Sequence, residues 1–147
     1  MARPTCTVGG GPTDGELMIL RMLWEHGPGT ARDLHDDLDA AGHPRAPTTI
    51  HRFLKIMTAK GLIDREGPLR PYRYRPVWSQ AQIQQKLVSD LRDRVFLGDP
   101  AALAEALLAT PLTDDHLAAI RQALDARLQR RAEARNAPSE DAGPRFF

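Results

Sequence analysis

Apolar and polar positions along the chain change period twice. From residue 13, Leu17, Leu20, Leu23 and Trp24 recur at helical spacing behind a Thr13-Asp14-Gly15-Glu16 capping box, and Gly27-Pro28-Gly29 stops the run. A second box, Thr30 to Asp33, opens a shorter helix with an apolar stripe of Leu34 and Leu38, ended by Gly42 and Pro44. A third helix is expected from about Thr48, with Ile50, Phe53, Leu54 and Met57 at i, i+3, i+4 and i+7 as its buried face. After Gly61 the period becomes two, over residues 62–66 and 72–76, with Gly67-Pro68-Leu69-Arg70-Pro71 as the turn. Three helices and a hairpin predict a winged helix-turn-helix.

Helical periodicity then returns. Ser79 to Gln82 caps a long helix carrying Ile83, Leu87, Leu91, Val95 and Phe96. Asp99-Pro100 introduces a short helix through Leu103, Leu107 and Leu108, and Thr113 caps a last one with Leu117, Ile120, Leu124 and Leu128. About fifty residues of amphipathic helix bury too little surface to stand alone, so a second copy of the chain is the expected partner. The dimerisation face is assigned to Leu87, Leu91, Val95, Leu103 and Leu107, with Leu117, Ile120, Leu124 and Leu128. The predicted fold is mainly α. A leader over 1–11 and a tail over 133–147 are expected to be disordered, with the winged-helix domain at 12–77 and the helical dimerisation domain at 78–132.

Charge sharpens this division. Residues 13–40 carry two cations against seven acids, whereas residues 45–76 carry eight against two. The part from Ser79 onward is nearly balanced, nine against ten. The basic segment coincides with the third helix and the hairpin. Thr48, His51, Arg52 and Lys55 project from the polar side of that helix, while Tyr72 and Tyr74 share one face of the returning strand and Arg73 and Arg75 the other. Thr48 and Thr49 at the helix start suit phosphate or base-edge contacts, and Arg52 suits a guanine in a major groove with His51 and Lys55 beside it. Arg45, Arg70, Arg73 and Arg75 suit the sugar-phosphate backbone.

Other chemistries find less support. A single cysteine, Cys6, excludes a disulfide or cysteine-based metal cluster within the chain. No apolar run is long enough to span a membrane and no signal peptide opens the chain, so a cytoplasmic protein without membrane insertion is expected. There is no nucleophile elbow, phosphate loop or zinc-protease signature, so neither an enzyme nor a cofactor is expected. His35, Asp39 and His43 stand at i, i+4 and i+8, which opens a metal-responsive alternative, although Gly42 ends the helix before His43. A winged helix used only for protein contacts is the other alternative.

The chain resembles the penicillinase-repressor (BlaI/MecI) family of bacterial winged-helix transcriptional regulators. The resemblance rests on Thr13-Asp14-x-Glu16 leading to Leu23-Trp24, on Thr48-Thr49-Ile50 with Leu54 and Lys60-Gly61-Leu62-Ile63, and on Tyr72-x-Tyr74-x-Pro76. It continues through Gly98-Asp99 and Leu112-Thr113. It implies a homodimer that represses transcription from palindromic double-stranded operator DNA, commonly of resistance or stress genes. It also implies derepression through a membrane-bound metalloprotease sensor, ending in a cut at an Asn-Phe bond in the short fifth helix. The corresponding place here is near Ala106-Leu107, where those residues are absent, and the cysteine cluster of the copper-responsive branch is absent too.

Overall fold

The computed structural model describes residues 11–137. Their order is α1 (Asp14–His26), β1 (Gly29–Thr30), α2 (Ala31–Ala40), α3 (Pro47–Ala59), β2 (Ile63–Glu66), β3 (Arg73–Pro76), α4 (Gln80–Val95), α5 (Pro100–Leu108) and α6 (Asp114–Asn136). Four of the helix starts carry reciprocal caps, at Thr13, Thr30, Ser79 and Thr113, and Asp99 caps α5 through the Ala101 amide. The expected winged helix-turn-helix followed by helices is the observed architecture.

The sheet has three antiparallel strands in the order β1-β3-β2, and β1 was not anticipated. Two residues carry no readable alternation. Gly29 pairs with Tyr74 and Thr30 with Arg73, so the start of α2 is stitched to the wing. Residues 62 and 72 of the expected strands lie just outside the ladder.

The described residues fall into two compact units, one ending at Gly98 and the other starting at Asp99. The first holds the core: Ile19, Leu20, Leu23, Leu34, Leu38, Ile50, Leu54, Met57, Leu62, Ile63 and Ile83 are buried. Each such side chain contributes about 1.5–3 kcal/mol of transfer free energy. Phe53, expected in the core face of α3, is only partly buried; its ring packs over Gly15, where an added Cβ would lie 2.6 Å from Cζ. Gly61 leaves α3 with φ +73°, letting the chain reverse directly into β2.

α4 belongs with this first unit, which moves the boundary expected at 77/78. Ile83 is 5% exposed and Leu87, expected in the dimerisation face, is half-buried against the core of its own chain. Two tryptophans fix the junction: Trp24 Nε1 donates to the Trp78 carbonyl at 2.9 Å, and Trp78 Nε1 donates to the Gly61 carbonyl at 3.2 Å. The amphipathic stripe gave the helix but not its partner.

In the second unit no described residue is buried. Leu103 and Ile120 are half-buried, whereas Leu107, Leu117, Leu124 and Leu128 are exposed. α6 continues to Asn136, so residues 133–136 are helical and not part of a disordered tail. Glutamate, alanine and arginine favour helix, and this outweighs their tail-like composition. Residues 138–147 of the expected tail and residues 1–10 of the expected leader lie outside the described residues. Among the described residues no helix is long and apolar enough to cross a membrane.

Candidate nucleic-acid interface

α3 presents its polar side to solvent in the first unit. Thr48, His51, Arg52 and Lys55 are exposed and Thr49 is half-buried, while Ile50, Leu54 and Met57 anchor the opposite side. Arg52 and Lys55 take part in no ion pair among the described residues. The helix begins one residue earlier than expected. Ala46 is the N-cap and supplies no side-chain bond, and Pro47 occupies the first turn. α3 therefore starts without the side-chain cap that satisfies α1, α2, α4, α5 and α6, which leaves its positive end available to an anion.

The wing lies against this helix. One groove, of about 640 Å³, runs from Thr30, Ala31 and Arg32 at the start of α2 past His51 to Arg70, Tyr72 and Tyr74. A second, of about 650 Å³, is lined by His51, Lys55 and Thr58 on α3 and by Asp64, Arg65, Tyr72 and Tyr74 on the hairpin. His51 and the two tyrosines are common walls. The register explains this: Arg65 pairs with Tyr74 and Asp64 with Arg75, so Ile63, Arg65 and the tyrosines share a face that starts in the core and ends at the groove. Tyr72 and Tyr74 are indeed on the more buried side and Arg73 and Arg75 on the exposed side.

The eight cations of this segment have different local partners. Lys60 is structural: its Nζ lies 2.9 and 3.0 Å from Glu16 Oε1 and Oε2, and Glu16 is only 2% exposed. Glu16 Oε2 also accepts from the Thr13 amide at 3.1 Å, so one buried carboxylate serves both the α1 cap and the end of α3. Arg73 Nη2 donates to the Pro28 carbonyl at 2.8 Å, holding the edge of β1. Arg75 stands 3.5 Å from Asp64, both exposed, a weak pair. Arg45 makes a 3.4 Å contact with the Pro44 carbonyl, and Arg70 sits in the turn at the Arg70–Pro71 cis bond.

Beside the groove, the Thr30 amide and hydroxyl both donate to Asp33 Oδ2, at 2.8 and 2.9 Å. These bonds, aided by Arg73 and Arg32, hold the Asp33 carboxyl below its ordinary value. Sequence patterning missed Arg65 and Arg32 as lining residues. The signal for Arg65 lies in the hairpin register, which only the observed pairing supplies.

The metal alternative meets a different geometry. α2 ends at Ala40, so His43 is off the helix that carries His35 and Asp39, and His35 Nδ1 faces Asp36 at 3.4 Å. Among the described residues no group of three or more His, Cys, Asp or Glu side chains is placed to hold a metal ion.

Comparison with known families matches the chain to the Penicillinase repressor model over residues 12–126. The match runs from the Thr13 cap of α1 into α6. A search of curated proteins finds no match.

Proposed function

Since this chain belongs to the penicillinase repressor family, a family of DNA-binding transcriptional repressors, we propose that it acts as a homodimer on operator DNA with two half-sites. In this reading α3 enters the major groove. Arg52 contacts a base edge, His51 and Lys55 flank it, and Thr48 and Thr49 meet phosphate at the uncapped helix start. Arg45, Arg70, Arg73 and Arg75 hold the backbone, the last two with part of their hydrogen bonding already engaged, Arg73 by the Pro28 carbonyl and Arg75 by Asp64.

The observation that carries the reading is the exposed polar side of α3: Arg52 and Lys55 are in no ion pair among the described residues, and His51 and Lys55 line grooves shared with the basic hairpin, with Arg52 outside both. Residues 45–76 carry eight cations against two acids, whereas 13–40 carry two against seven. A solvated surface helix would not need its cations gathered beside a wing.

Dimerisation is assigned to the second unit with the outer side of α4. Leu91 and Val95 on α4 are exposed, as are Leu107, Leu117, Leu124 and Leu128, with Leu103 and Ile120 half-buried. Derepression is assigned to proteolysis in this region or to another stress signal: a cut near exposed Ala106-Leu107 in α5, where the family's Asn-Phe residues are absent, would separate α6 from the DNA-binding unit.

A mobility-shift titration against the DNA upstream of the chain's own gene and its neighbours tests the reading. Specific, steeply salt-dependent binding is expected, and Arg52→Ala should lose about 1–3 kcal/mol and relax preference at one base pair. Absence of any shift at low salt would favour a winged helix used for protein contacts.

A further inference from the structure

Two cations without a carboxylate partner converge on one ring. The Arg65 guanidinium lies 4.1 Å from the Tyr72 ring centroid and that of Arg70 lies 5.5 Å away. Arg65 comes from β2 and Arg70 from the turn before β3, so the ring gathers charge from both arms of the hairpin. Neither arginine is in an ion pair among the described residues. A hydrogen bond from Arg70, then the field of Arg65, lower the Tyr72 phenol below its ordinary value.

The two grooves beside α3 divide these groups between them. Arg65 lines the one shared with Lys55, Arg70 lines the one shared with Arg32, and Tyr72 and His51 line both. The ring's electron-rich face attracts each guanidinium, but the two repel each other and neither is ion-paired with a carboxylate, although Asp64 lines the groove that holds Arg65. A phosphate oxygen in either groove would supply an anionic partner. Guanidinium groups already held against a ring also lose less freedom when they bind.

We infer that Tyr72 is a positioning residue, holding Arg65 and Arg70 as a two-cation clamp on the phosphates of double-stranded DNA, one in each groove flanking the wing tip. The inference rests on the DNA-binding reading above, in which Arg70 already holds the backbone, and adds to it Arg65 as a second phosphate contact and Tyr72 as the residue that positions both. Sequence-independent duplex is therefore the right probe.

The experiment measures binding of the full chain to a mixed-sequence duplex of about 30 base pairs by fluorescence anisotropy, from about 50 to about 200 mM salt. Tyr72→Leu should weaken binding roughly 3–10-fold at the low-salt end and flatten the log–log salt slope by about one to two units. Tyr72→Phe, which keeps the ring, should retain most of the slope. Arg65→Gln should flatten it by about one unit alone and by little when added to Tyr72→Leu. Should Tyr72→Leu fail to fold, Arg65→Gln with Arg70→Gln on the intact ring carries the test, with a loss of about two units expected. A wild-type slope that survives Tyr72→Leu, or survives the double arginine change, overturns the clamp and leaves the DNA-binding reading standing. A wild-type chain that ignores the duplex at low salt overturns both.

Discussion

The two units start their helices with the same local devices and finish them differently. Thr13, Thr30 and Ser79 in the first unit and Thr113 in the second each form a reciprocal cap, and Asp99 does the same work for α5 through one bond. Yet the first unit buries eleven apolar side chains in one cluster, whereas α5 and α6 bury none. Local signals specify where a helix begins; they say nothing about whether its apolar side is covered. Leu124 and Leu128 on α6 are 57% and 56% exposed, and a helix in that state gains little from burial. The first unit is equipped to fold on its own contacts and the second to fold against something else, which fits a division between reading DNA and assembling two readers.

The sharpest way to break that division is to cut the chain after Gly98. The truncated protein should keep the core, sediment as a monomer and lose about 10²–10⁴-fold in operator affinity, because the second half-site no longer adds to the first. Undiminished affinity, or a persistent dimer, would mean that the assembly surface lies in the first unit. A cut after Pro76 would be a poorer experiment, since it strips Ile83 and Leu87 from the core.

Next in size comes a matched pair of truncations to alanine. Leu20→Ala removes a fully buried side chain and should cost about 2–5 kcal/mol in urea unfolding. Leu124→Ala should change unfolding of the first unit by less than about 0.5 kcal/mol while weakening self-association seen by sedimentation. Equal costs in dilute monomer would show that the second unit has a core of its own.

What could be read in the sequence follows the range of the interaction. Capping boxes span three residues, and the apolar repeat of α3 spans two turns; both were legible, as were the basic segment and the faces of β3. Pairings between distant residues were not. β1 is two residues long and exists through its partners in β3. Lys60 is one cation among eight until the fold brings it to Glu16, 44 positions away. Arg65 becomes a groove residue only through the hairpin register. For α4 the stripe predicted an apolar face but not that Ile83 and Leu87 would pack on the chain's own core while Leu91 and Val95 stay exposed, because these residues carry no mark distinguishing their own chain from a second copy.

The Glu16–Lys60 pair allows a smaller test within the first unit. Lys60→Met leaves a carboxylate that is 2% exposed with only its cap bond, and should cost about 1–3 kcal/mol, a moderate figure because Lys60 itself is 29% exposed. The loss should appear in operator affinity only as far as it appears in stability. A large affinity loss with unchanged unfolding would instead make Lys60 a DNA contact.

The smallest effect concerns how α2 begins. Its cap and the β1–β3 pairing both hold Thr30, whereas the cap of α6 at Thr113 has no strand behind it. Asp33 separates the two contributions because the Thr30 bonds hold its carboxyl below the ordinary carboxylate value. A depressed carboxylate stabilises the fold fully above its unfolded value, and the contribution fades as pH falls through the lower folded value. Asp33 is solvent-exposed, so its share is screened, about 0.3–1 kcal/mol at neutral pH. Asp33→Ala should therefore unfold at lower urea than the wild type at pH 7, with the gap narrowing as pH approaches 3. A gap that is absent at pH 7 would mean that strand pairing alone fixes the start of α2. The first unit would then rely on tertiary contacts even at a helix end that looks locally determined, and the contrast with α6 would be wider still.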